Sequence, residues 1–162
     1  MSPEQLVLSL GDKAKMQQAL PPLRATLEAN GTYWKMVRRV WESPGGVGDV
    51  CLWRQLLTGS PRSMMNDEEL ARLASFDDPL LVYRGWVGGD GWDNRDGISW
   101  TPNLDLARKY ANLKAATCGV VRGNISVSDV IAFIVTNLDV DGLSEEEILA
   151  FPEDVADKRD VP

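Results

Sequence analysis

Three short stretches of the chain place residues capable of chemistry where strands should begin or end. Arg84 follows the apolar run Leu80-Leu81-Val82-Tyr83 and precedes Gly85. A guanidinium there can hold phosphate or carboxylate through two parallel hydrogen bonds, and a glycine lets backbone approach a ligand closely. The alternative is an arginine paired with one of the aspartates that follow. In Ser99-Trp100-Thr101, strand alternation puts both hydroxyls on one face and the tryptophan on the other. Two such hydroxyls orient a polar ligand, or they bond to backbone and water, as is usual in a short strand. In Glu145-Glu146-Glu147 the first and third carboxylates share a face, which raises the proton affinity of at least one of them. That pair offers an anion to stabilise positive charge developing on a sugar ring, together with a proton acceptor. A solvated acidic turn is the competing reading.

The elements that must position these groups follow from periodicity and punctuation. Residues 1–79 read as mainly helical. Ser2 caps a turn begun by Pro3, with Gln5 completing a capping box. A helix from Asp12 is interrupted at Pro21-Pro22, restarts, and stops at Asn30-Gly31. Trp34, Val37, Arg38 and Trp41 mark a third helix, Asp49 caps a fourth, and Asn66 with Glu69 caps a fifth over 67–75. The stripe Trp34, Trp41 and Trp53 reads as core.

The period then changes. A strand over 80–83 is closed by Arg84-Gly85, and the five glycines between 85 and 97 predict a loop or a wide hairpin. Ile98–Thr101 is a short strand stopped by Pro102. Asn103 or Asp105 caps a helix through Leu106, Tyr110 and Leu113, with Tyr110 at the spacing of a packing residue. Strands at 117–122 and 130–136, a polar loop at 139–144 and a strand from Glu145 to Pro152 complete the order, leaving 153–162 as a tail. Helices first and strands later, with one interposed helix, favour an α+β single domain over regular βαβ alternation.

Composition bounds the chemistry. The chain has 162 residues, 44% of them apolar and 25% charged, as in ordinary globular domains. The absence of histidine removes histidine-based triads, histidine-ligated zinc and the commonest general base near neutral pH. A net charge of -7 argues against a nucleic-acid backbone as partner. Charge is uneven: residues 1–40 carry six basic and three acidic groups, whereas residues 124–162 carry ten acidic and two basic. Cys51 and Cys118, without CxxC spacing and beside apolar neighbours, read as reduced, buried thiols. Asp90, Asp93, Asn94 and Asp96 do not fit a calcium loop, because Arg95 stands where glycine is needed and Thr101 where glutamate is. No metal is assigned. Without a leader or a membrane-length apolar segment, a soluble, cytoplasmic protein is expected, with no membrane partner.

Taken in order, Tyr83-Arg84-Gly85, then Gly97-Ile98-Ser99-Trp100-Thr101 followed by Ala107 and Tyr110-Ala111, then Glu145-Glu146-Glu147-Ile148-Leu149, resemble the Arg–Ser–Glu branch of the mono-ADP-ribosyltransferase superfamily and its small phage-encoded members. The resemblance covers about residues 80–152. It implies a mainly antiparallel split β-sandwich, with 80–152 as an NAD-binding core, and ADP-ribose transfer from NAD to a side chain of a host or bacterial protein. In that scheme Arg84 and Gly85 serve the phosphate and ribose region. Ser99 braces the nicotinamide side and helps to hold Glu147, Thr101 is a further cofactor-binding residue, and Glu147 binds the nicotinamide ribose and stabilises the cationic centre. Glu145 orients or deprotonates the acceptor, and a glutamate at its position resembles the arginine-modifying versions. Trp86, Trp92 and Tyr110 are each candidates to stack on nicotinamide. An inactive relative that binds a host protein, or a structural phage component, is the alternative.

Overall fold

The computed structural model describes residues 1–89, 92–112, 117–140 and 143–162, and they fall into two compact units, Met1–Met64 and Met65–Pro162. The first is helical: α1 (Pro3–Ser9), α2 (Lys13–Ala29), α3 (Tyr33–Glu42) and α4 (Val50–Leu56). The Ser2–Gln5 capping box and the Asp49 cap form as the sequence predicts, and Gly31, with φ 67°, follows the end of α2. The predicted break at Pro21-Pro22 does not occur, and α2 runs straight through both prolines. The prolines delete two amide donors, but Met16 and Leu20 before them and Leu27 after them are buried along one stripe, so packing holds the axis against propensity. Trp41 and Trp53 are core, meeting edge to face at 4.9 Å, while Trp34 lies half-buried against Tyr33.

The second unit carries α5 (Asp67–Ala74), β1 (Leu80–Gly89), β2 (Trp92–Asp93), β3 (Ser99–Trp100), α6 (Leu104–Asn112), β4 (Thr117–Ile125), β5 (Ala132–Val140), β6 (Leu143–Leu149) and β7 (Ala156–Val161). The strands form two antiparallel sheets, ordered β2-β1-β4-β7 and β3-β6-β5. Trp100, Phe133, Ile98, Ile125, Ile134, Ile148 and Leu149 are fully buried within this unit. An α+β fold with N-terminal helices is what the order of elements predicts.

Several boundaries differ. The segment 153–162, expected as a tail, contains β7, which pairs with β4 from Val120↔Val161 to Asn124↔Ala156. Its residues are mainly charged and exposed, so an edge strand has little apolar alternation to announce it. The division of the chain falls after Met64, ahead of α5, because the buried Glu69 of α5 accepts a hydrogen bond from Val135 N at 2.8 Å and thereby joins α5 to β5. Strand β5 runs on to Val140 and β6 begins at Leu143, where a loop over 139–144 is predicted; residues 141 and 142 of that loop, like Leu113, lie outside the described residues. Both cysteines are exposed free thiols, not buried ones. Cys51 stands two residues, about 200° of helix, from the buried Trp53, and Cys118 sits at the outer end of β4. No helix among the described residues is long and apolar enough to cross a membrane.

Strand β1 is the correction that matters most for the site. It does not close at Arg84-Gly85 but pairs with β4 from Leu80↔Ile125 to Gly88↔Thr117. Glycine weakens a strand unless something approaches it. Here helix α6 does: a Cβ on Gly85 would overlap the Ala107 carbonyl and come within 2.7 Å of the Ala111 amide. The room at Gly85 is therefore filled by the protein's own helix, not by a ligand. Gly85→Ala is expected to destabilise the protein by about 3 kcal/mol, since neither backbone segment can yield. A urea titration checks this: the midpoint should fall with little change in slope.

Candidate functional site

Two main-chain hydrogen bonds join the sheets where the predicted residues lie, Tyr83 N to Thr101 O at 2.7 Å and Thr101 N to Tyr83 O at 2.8 Å. The next residue of β1 is Arg84. Its guanidinium donates from Nη1 to the Ser99 carbonyl at 2.5 Å and from Nε to the Asn94 carbonyl at 2.8 Å. Gly97 makes this possible, because a Cβ there would overlap the guanidinium. Among the described residues Arg84 makes no ion pair with an aspartate; its donors go to main-chain carbonyls. It brackets the segment that delivers Ser99.

Ser99 Oγ donates to Glu147 Oε1 at 2.5 Å, a short bond to a charged acceptor. The register explains the contact. Ser99 pairs with Leu149 across β3 and β6, so Glu147 stands two residues along the same face. Trp100 points the other way and is 1% exposed, as alternation predicts. The Glu145–Glu147 segment also alternates as expected. Glu147 lies opposite Ile134 and Glu145 opposite Thr136, while Glu146 Oε1 lies 3.6 Å from Arg72 Nε of α5.

Tyr110 closes the acidic end. It is 45% exposed, not packed, and its hydroxyl donates to Glu145 Oε1 at 2.6 Å. Desolvation first, then that hydrogen bond and the charges of Glu145 and Glu147, raise the tyrosine well above its ordinary value, so it remains a donor at any physiological pH. Arg84 responds in the opposite direction. Burial lowers it to about 10, against the opposing pull of Glu147 and Asp96. It is still a cation at neutral pH, sharing an electrostatic field with the Glu147 carboxylate.

Not every predicted residue faces this cluster. Thr101 is buried, and its Oγ1 accepts from Asn103 N at 3.1 Å, in the turn that leads to α6. Asn103, not Asp105, caps that helix, its Oδ1 accepting from the amides of Asp105 and Leu106. Trp86 is buried with Arg95 across its ring, Tyr110 is exposed, and the Trp92 side chain lies outside the described residues. Asp93 and Asp96 pair with Arg95 and Lys158, and among the described residues no group of three or more His, Cys, Asp or Glu side chains could hold a metal ion.

Sequence reasoning missed Asn94, whose amide and side chain bond to Val87 while its carbonyl takes Arg84. An Asn between Asp93 and Arg95 carries no signal of such a role. Gly97 did carry one, as a glycine two residues before Ser99. No family model, curated protein or solved structure matches the chain.

Proposed function

We propose that the chain is a mono-ADP-ribosyltransferase of the Arg–Ser–Glu type, which cleaves NAD and transfers ADP-ribose to a protein side chain. The single observation that carries this reading is the Arg84–Ser99–Glu147 chain of hydrogen bonds, with both links at 2.5 Å. Residues from three separate strands converge, and the convergence leaves a carboxylate oriented by a hydroxyl beside a partly buried cation. The two-sheet arrangement joined at Tyr83–Thr101 is compatible with a split sandwich of that family.

The chemistry follows from these groups. When the bond between the nicotinamide nitrogen and the ribose breaks, its electron pair leaves with neutral nicotinamide and positive charge develops at the ribose. Glu147, fixed by Ser99, lies in the role of counter-charge to that centre, an anion held in advance of the reaction. Attack by an acceptor nitrogen then forms the new bond to the anomeric carbon, and Glu145 accepts the proton released. A glutamate at 145 favours a guanidinium acceptor.

Labelled NAD incubated with a bacterial lysate tests the reading. One or more proteins should become covalently labelled. Glu145→Gln should lower that labelling about 10²-fold while nicotinamide release in buffer changes less than about twofold. Equal loss of both activities would remove the acceptor role. One observation favours a non-catalytic nucleotide binder instead, the engagement of Arg84 Nε and Nη1 by main-chain carbonyls. Tight NAD binding without nicotinamide release would establish that alternative.

A further inference from the structure

Trp86 and Arg95 form a stack that the bracket around Ser99 does not explain. Trp86 lies on the Arg84 face of β1, two residues and about 7 Å further along the strand. Its indole is 7% exposed and lies across Gly119, where a Cβ would come within 2.9 Å of the ring. Even so, among the described residues its Nε1 has no hydrogen-bond partner. Arg95 covers the ring with its guanidinium carbon 3.9 Å from the centroid. Arg95 Nε is also buried without an aligned acceptor, although Asp93 Oδ2 lies 3.2 Å away. Arg95 Nη1 is divided between the two oxygens of exposed Asp160, each at 3.2 Å.

Buried N–H donors in proteins nearly always have acceptors, so an unsatisfied indole N–H beneath a guanidinium held only by a poorly aligned ion pair points to an acceptor supplied from outside. The carboxylates now holding Arg95 do so through long contacts near solvent, which are weak. A diphosphate, with more charge and more acceptor oxygens, competes well for such a fork. Arg84 has two of its donor nitrogens, Nε and Nη1, committed to carbonyls.

We infer that Arg95 and Trp86 form a diphosphate subsite for a nucleotide whose ribose lies toward Glu147, with Asp160 occupying Arg95 until the ligand displaces it. The nucleotide's identity rests on the transferase reading; the subsite's preference for a diphosphate does not. Isothermal titration of the full chain with ADP-ribose and with inorganic pyrophosphate tests it. Arg95→Ala should weaken both at least tenfold, and Arg95→Lys, which keeps charge but loses the planar fork, should fall between. Trp86→Phe keeps an aromatic face, loses the N–H, and should weaken binding about threefold.

Asp160→Asn should tighten binding about threefold by removing the internal competitor, an effect that a merely structural Arg95 would not produce. Failure of the wild type to bind either probe, equal affinity in Arg95→Ala, or no tightening in Asp160→Asn would each overturn the proposal. Nicotinamide release on the same proteins separates the two readings. Cleavage of NAD with unchanged KM in Arg95→Ala removes the subsite and leaves the transferase. Arg95-dependent binding without any nicotinamide release keeps the subsite and removes the transferase.

Discussion

Glu147→Gln is expected to slow nicotinamide release from NAD by about 10²- to 10³-fold while leaving the protein folded. The amide has the size and shape of the carboxylate, and its oxygen still accepts the Ser99 hydroxyl that now reaches Oε1 at 2.5 Å. What is lost is the negative charge, the quantity that a developing ribose cation requires. About 3 to 4 kcal/mol of transition-state stabilisation corresponds to that range of rates. Ground-state binding of NAD should change far less, so the effect belongs in kcat and not in KM. Chromatographic assay of released nicotinamide, with circular dichroism to confirm the fold, makes the measurement. Equal turnover by wild type and variant would end the role assigned to Glu147.

How far the sequence reached can be judged at this carboxylate and its neighbours. Alternation alone separated Glu145 and Glu147 from Glu146 and Ser99 from Trp100, because a period of two leaves no other assignment once a strand is accepted. The capping boxes at Ser2 and Asn66 were legible for a similar reason, since each depends on residues three positions apart. Contacts set by tertiary packing were not legible. Nothing local indicates that Gly85 admits α6, that two prolines continue α2, or that a charged terminal segment adds a strand to β4. Tyr110 illustrates the same limit. Its spacing matches the apolar face of α6, yet a hydroxyl at the margin of that face finds Glu145 on a strand 35 residues away in sequence. Propensity and period describe a residue's own element, whereas these outcomes depended on the element opposite.

Arg84 is expected to be the most sensitive position for stability and activity together. Its Nε and Nη1 hold the carbonyls of Asn94 and Ser99, and Arg84→Ala would leave both acceptors without their donor and Glu147 without its neighbouring cation. A loss of about 2–3 kcal/mol is expected, the scale for removing hydrogen bonds made by a partly buried charge. Arg84→Lys should recover part of the stability but little activity, because one ammonium cannot reproduce a planar fork that spans two carbonyls. Denaturant midpoints and nicotinamide release measured on both variants check this; wild-type turnover in Arg84→Lys would show that a charge alone suffices there. The pH dependence has a definite sign. Burial lowers Arg84 from 12.5 to about 10, so between those values the unfolded chain binds more protons and this group makes stability rise with pH. Below about pH 10 the full cost of burying the cation is present. Activity should run the other way, falling as pH rises through about 10, when the guanidinium loses the charge that fixes Ser99 and faces Glu147. A group retained in its charged form against its own effect on stability is one whose value lies in what it positions.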